Sequence, residues 1–349
     1  MLKSIFIKFI ISSFSIISQG LKSLYKLLDL NLKKFYIRKF PLIRMSWKKV
    51  GLGIVGIFLI ALFFGYWFLP FNEVQFGANK NPEFNVGNLS NNMQFYPNMR
   101  FSSSEISYKI EPSCSLQKKS EMISAFDFMQ NVTVLKFYPV EENEEITISC
   151  EEESKTTENG MFIAGEGGPV KISSGENFDV IFSGKILLLR ESSCERPNVE
   201  IHELLHVLGF DHSENRNNIM YPISKCSQTI GNEIKDKIDT LYSFPELSDL
   251  KLENVSASMS GRYLNVNLSI KNIGLKDSAD GKLKIYGDDE LIKEMNIKEI
   301  KIGYGLSIFL SNIWVSKRDI KNLNIAISTP ESELSLANNQ LILTTLSEN

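Results

Sequence analysis

The spacing of apolar and polar residues divides the chain into three textures. The first is one uninterrupted apolar run, Val50–Leu69, twenty residues without a charge and closed by Pro70. Twenty helical residues span roughly 30 Å, the thickness of a bilayer's hydrocarbon core, so the run is predicted to be a transmembrane helix. Upstream, Ile5–Ile17 is apolar but broken by Lys8 and serines. Leu21–Ile43 mixes Leu and Phe with Lys and Arg, the pattern of a basic amphipathic helix lying on a membrane surface.

The second texture mixes helical and strand periods. Ile106–Ile110, Val132–Tyr138, Ile146–Cys150, Val170–Ile172 and Val180–Arg190 are strand candidates, and Lys155–Gly168 is expected to be a loop. Leu116–Met129, the stretch from Asn198 to Gly209, and Ile230–Tyr242 have helical spacing, with Pro245 ending the last. The third texture, after Leu250, is all alternation: Leu264–Ile270, Lys282–Tyr286, Leu306–Trp314, Leu323–Ile327 and Leu341–Thr345, separated by turn residues as in a β-sandwich. The expected layout is a segment 1–49, an anchor 50–70, a tether 71–100, an α+β domain 101–246 with a mixed sheet and three helices, and a sandwich 247–349.

Charge orients this layout. Residues 1–49 carry 11 Lys/Arg and one acid, Asp29, while the remainder carries 27 basic and 40 acidic residues. A basic flank before an apolar span stays on the cytoplasmic side, which puts the folded body on the outer side of the cell membrane. An acidic body argues against nucleic acid as a partner. A cleaved signal peptide is the alternative, but its apolar core is about 7–15 residues, and FLPFNEVQF offers no small-residue cleavage site. Met45 begins a complete anchor by itself (MSWKK and the apolar run) and is a second candidate start.

All four cysteines, Cys114, Cys150, Cys194 and Cys226, follow the apolar run. An even number in an oxidising compartment predicts two disulfides. Three pairings exist; Cys114–Cys150 with Cys194–Cys226 is favoured because each pair brackets one structural unit. Four buried free thiols are the alternative.

The chemistry concentrates in Val199–His212. His202 and His206 are four residues apart, so a helix puts both on one face, with their Cβ atoms about 5–6 Å apart. Gly209 permits the positive φ that turns the chain back, and His212 then completes three neutral nitrogen ligands. Three histidines with an open fourth position is a catalytic zinc arrangement rather than a closed structural one. Glu203 stands beside the first ligand, placed to take a proton from water that the metal polarises and to pass it to a leaving amine. The chain has only three histidines, and all three occupy ligand positions.

HELLHVLGFDHS followed by NNIMYP resembles the matrixin branch of the metzincin peptidases. The resemblance implies zinc-dependent hydrolysis of peptide or protein substrates. It also implies a Met-turn at Met220 beneath the metal, and Tyr221 and Pro222 in the wall of the substrate pocket. Two departures stand out. No cysteine precedes Cys114, so cysteine-based latency is in doubt, and acid-rich calcium loops are not evident, which leaves calcium open beside the single zinc. GEGGPVKI (165–172) is either an edge strand to which an extended substrate adds or a plain glycine-rich loop. The C-terminal KNIGLKDSADGKLKIY, NIWV and LANNQ resemble a CARDB-type immunoglobulin-like sandwich, implying a binding or spacer role. The alternative to an enzyme is a surface adhesion or recognition protein with an inactive metzincin domain. Asn88, Asn131, Asn254 and Asn267 begin glycosylation sequons.

Overall fold

The computed structural model describes residues 47–68, 73–78, 85–89, 92–152, 155–156, 163–191 and 194–346. The expectations for Ile5–Ile17, Leu21–Ile43 and Met45 lie outside these. Trp47–Phe68 (α1) is one helix of 22 residues. Side chains are described for its residues 51–65, with Leu52, Ile54, Ile57 and Phe58 all exposed. Among the described residues no helix is long and apolar enough to cross a membrane, so the transmembrane helix expected at 50–69 finds no support there.

Trp67–Asn349 forms one compact unit built on two sheets. The first carries Met99–Phe101 (β2), Glu105–Ile110 (β3), Lys136–Pro139 (β4), Ile146–Cys150 (β5), Gly165–Ser174 (β6) and Asp179–Leu188 (β7). Its pairings are parallel except β6 with β7. β2 and β5 pair end to end with β7, while β6 runs its full length. β6 is thus the outer strand, and it begins inside the stretch expected to be a loop.

Leu116–Val132 (α2) covers this sheet. Ser115 caps it by accepting from the Lys118 amide at 3.2 Å. Met122, Ala125, Phe126 and Met129 recur at helical spacing and are buried. Thr133 ends the helix, its amide and hydroxyl both donating to the Met129 carbonyl. The helix therefore consumes Val132, which was expected to open a strand. Phe126 lies between Tyr108 and Phe137, with ring centroids 4.1 and 4.8 Å away.

Asn198–Val207 (α3) and Asn232–Tyr242 (α4) complete the three expected helices. α4 buries Ile234, Ile238 and Leu241 and has no basic residue in its last turn. Its end is held instead by Arg100 on β2. The buried guanidinium donates to the carbonyls of Leu241 (2.5 Å) and Phe244 (3.3 Å) and lies 4.3 Å above the Tyr242 ring.

The second sheet contains Glu73–Ala78 (β1), Leu250–Ser260 (β8), Tyr263–Asn272 (β9), Gly281–Gly287 (β10), Glu290–Ile297 (β11), Gly305–Trp314 (β12), Asn322–Ser328 (β13) and Gln340–Thr345 (β14). All pairs are antiparallel, in the order β11-β10-β13-β14-β1-β8-β9-β12. β9 alternates half-buried and buried residues without exception, as a one-sided strand must. Leu264, Leu268, Leu323 and Ile325, from strands far apart in that order, share one core, so the sheet folds over itself. β1 belongs to this sheet, between β14 and β8, where the sequence suggested a tether. The strands β8 and β11 also escaped the sequence pattern. A small third cluster joins the sheets: Phe178 and Val180 at the start of β7 pack with Leu275 and Ile302.

Arg100 has a testable consequence. Arg100→Met keeps the bulk but leaves two buried carbonyls without a donor, which costs about 2–4 kcal/mol. Thermal unfolding of the variant is expected to fall by several degrees, with Arg100→Lys recovering part of the loss.

Candidate active site

α3 has the sequence NVEIHELLHV and is buried along its length. His202 and His206 lie one turn apart on it, and the helix stops at Leu208. Gly209 has φ +91°, and a Cβ there would lie 2.7 Å from that of Met99, so both conformation and space require glycine. The chain reverses and presents His212. Nε2 of His206 then lies 3.0 Å from Nε2 of His202 and 3.2 Å from Nε2 of His212.

These distances suit side chains that converge on a cation. His202 Nδ1 sits 2.6 Å from the Ile219 carbonyl, and His206 Nδ1 sits 2.8 Å from that of Phe210. A carbonyl accepts, so each Nδ1 carries the proton and each Nε2 presents a lone pair. Lone pairs that converge this closely repel unless something positive lies between them. Four-coordinate zinc with nitrogen ligands at about 2.0–2.1 Å separates those nitrogens by about 3.3 Å, within a few tenths of what is seen. Burial pushes the His202 pKa down to about 4, helped by the neighbouring His206 and His212, and burial also lowers that of His206. Both rings are therefore neutral, as ligands must be. Among the described residues these three are the one group of three or more His, Cys, Asp or Glu side chains placed to hold a metal.

The Met-turn residues do structural work for the ligands. Met220 is buried, its amide donating to Asn218 Oδ1 at 2.8 Å and its carbonyl accepting from Ser213 at 2.8 Å. This tight turn is what aims the Ile219 carbonyl at His202. Pro222 lines a cleft of about 480 Å³ together with Ile223, Glu166 and the three histidines. Tyr221 is half-buried and does not line it. The structure joins Cys194 to Cys226 and Cys114 to Cys150, the favoured pairing, with no free cysteine among the described residues. The first bridge closes a loop that contains α3, His212 and the Met-turn.

Glu203 points into the same cleft. Burial pushes its pKa up to about 8, reinforced by the charges of Glu166 and Glu200. A cation among the histidines opposes that shift and favours the carboxylate. β6 packs directly on this residue. A Cβ at Gly165 would come 2.9 Å from Glu203 Cγ, and one at Gly167 would collide with the Glu203 backbone carbonyl. The glycines of GEGG thus allow the outer strand to approach the catalytic helix.

Three features gave no sequence signal. Phe95 donates its amide to the Gly209 carbonyl at 3.0 Å, and Asp211 donates to Met93 at 3.0 Å, so a short segment before β2 braces the turn. The Phe95 ring stacks on His206, centroids 5.7 Å apart. Glu200 is fully buried in the first turn of α3, where burial raises its pKa to about 7.

Residues 100–243 match the Matrixin (peptidase M10) family model, so this stretch is a matrixin domain. No curated protein matches the chain. Among solved structures, a CARDB domain from Pyrococcus furiosus, in complex with di-metal ions, is 16% identical over 29% of this chain and 89% of that one, with a TM-score of 0.25. High choriolytic enzyme 1, a hatching enzyme zinc-protease from Oryzias latipes, is 18% identical over 32% of this chain, with a TM-score of 0.22. The match spans 46% of that enzyme's length.

The close approach of β6 is open to test. Gly167→Ala forces strand and helix apart and is expected to cost about 1–3 kcal/mol, seen as a lower unfolding temperature. Gly168→Ala, where a Cβ meets nothing within 4 Å, is the control and should unfold like the parent.

Proposed function

We propose that the protein is a membrane-anchored zinc metalloendopeptidase acting on peptides or proteins outside the membrane. The observation that carries the catalytic part is the convergence of the Nε2 atoms of three histidines in the cleft that Glu203 also lines. The three histidines would hold one Zn²⁺. When bound, zinc supplies Lewis-acid polarisation of water and of the scissile carbonyl.

The remaining work falls to the chain itself. Glu203 takes a proton from the attacking water and returns it to the leaving amine, so its carboxyl must be ionised at the start and protonated midway. Burial favours the protonated form and the metal favours the ionised one, which keeps the two close in energy. β6 offers its unpaired outer edge to an extended substrate, which adds as a further strand next to the cleft. Pro222 and Ile223 supply an apolar wall on the opposite side.

The decisive experiment is cleavage of a mixed peptide library by the purified full-length chain, with Glu203→Ala alongside. Loss of a general base is expected to lower kcat/KM by about 10²–10⁴-fold. Metal analysis should meanwhile find one zinc per chain in both proteins and none in His206→Ala. Zinc-loaded protein without cleavage in either form would leave the recognition-protein reading, and equal cleavage in both would remove Glu203 from the mechanism.

The anchoring part rests on the uncharged run Val50–Leu69 and the basic residues before it. It predicts that the chain stays with the membrane through alkaline carbonate washing. It also predicts that protease added outside intact cells digests the body but spares residues 1–49. Release by carbonate, or digestion of residues 1–49 from outside, would sink it.

A further inference from the structure

A second polar cluster lies away from the histidines, at the base of the C-terminal sheet. Asp249 immediately precedes β8, and Glu333, Asn338 and Asn339 lie in the connection between β13 and β14. All four are buried, Asp249 completely. Each side-chain nitrogen of the cluster has an acceptor. The Leu250 amide donates to Glu333 Oε2 at 2.7 Å, while Thr329 (2.8 Å) and Asn339 Nδ2 (3.0 Å) donate to Glu333 Oε1. Asn338 Nδ2 donates to Asp249 Oδ1 at 2.9 Å.

What remains are oxygens alone. Asp249 Oδ2, Asn338 Oδ1 and Asn339 Oδ1 are buried and have no hydrogen-bond partner. A buried polar atom left unpaired costs about 1–3 kcal/mol, and here three acceptors accompany two carboxyl groups. The nearby ammonium does not serve them, because Lys251 Nζ lies 2.6–2.7 Å from both carboxylate oxygens of Glu176. The Lys251 charge acts on Asp249 only through space, and the unpaired atoms are all hard oxygen ligands.

We propose that Asp249, Asn338 and Asn339 bind a hard divalent cation of the calcium type, with Glu333 orienting the Asn339 amide and Asp249 Oδ1 that of Asn338. Calcium takes six to eight oxygens, carboxylate and amide carbonyl among them, and the absence of any sulfur or imidazole disfavours zinc or copper. Burial pushes the Asp249 pKa up to about 6, with Glu333 and Glu176 adding to the rise and Asn338 opposing it. A bound cation removes that penalty. The position gives the ion a task. Asp249 follows the link from α4, and Lys251 two residues on reaches Glu176 in the turn between β6 and β7. An ion here ties the entry of β8 to the β13–β14 connection where the catalytic layers join the second sheet. The proposal does not depend on the peptidase reading, since it leaves the histidine site untouched.

The test uses the full-length chain, stripped with EGTA, resupplied with zinc and titrated with CaCl₂ by calorimetry and thermal unfolding. One saturable calcium site is expected, raising the unfolding temperature by several degrees. Asp249→Asn should abolish both binding and shift, and Asn338→Ala should weaken binding at least tenfold. Glu294→Gln, at an exposed acid of the same sheet, should change neither. If Asp249→Asn does not fold, Asn338→Ala decides alone. No calcium binding to the parent, or binding unchanged in the folded variants, overturns the proposal. So does stability that ignores calcium and rises as the pH falls through about 6, because a folded-state pKa raised from 3.8 then marks Asp249 as a buried neutral acid.

Discussion

Nε2 of His206 lies 3.0 Å from that of His202 and 3.2 Å from that of His212, a convergence that a cation between the rings would stabilise. Each ring has been driven there by a separate constraint. Helical pitch sets His202 beneath His206, and a positive-φ glycine returns the chain so that His212 faces both. The tautomers are then fixed from behind, by the Ile219 carbonyl for His202 and the Phe210 carbonyl for His206. Nitrogens so placed form a group that can hold a metal ion. Neighbouring parts of the domain are arranged to keep that placement.

This explains why so much of the surrounding structure is packed against one short helix. The Met-turn exists to deliver a carbonyl, and its own hydrogen bonds, to Asn218 and from Ser213, hold it to that geometry. The segment around Phe95 closes the other side of the turn. β6 comes in close enough that its glycines cannot carry side chains, which leaves Glu203 walled by backbone and desolvated. Burial by that strand is the main cause that raises the Glu203 pKa, so the packing of β6 and the protonation of this carboxyl are coupled.

The site was legible in the sequence because its constraints are local. A spacing of four, a glycine three residues on and a histidine three beyond that are properties of one helix and one turn, and they survive without knowledge of the rest. The disulfide pairing was legible for a similar reason, each bridge enclosing one unit. What the sequence hid depends on pairing at a distance. The sequence leaves GEGGPVKI open between an edge strand and a loop because glycine lowers strand propensity, and only the helix lying against β6 explains why glycine is needed. Phe95 acts through a backbone amide and a ring face, neither of which leaves a spacing pattern. β8 alternates buried and exposed residues poorly around Val255, where its register with β9 shifts, so its period was blurred.

The largest departure from expectation concerns how the catalytic residues are attached. β1 was expected to be part of a flexible tether, yet it lies between β14 and β8 in the second sheet. Its partners on either side are hydrogen-bonded strands from the far end of the chain, which places residues 79–249 topologically as an insertion between two neighbouring strands of one sheet. Both ends of the catalytic layers therefore leave from adjacent positions, the arrangement in which an inserted domain is most easily tolerated. Within this unit the C-terminal sheet, with the small apolar cluster around Phe178, thus acts as the base on which the histidine-bearing layers are mounted.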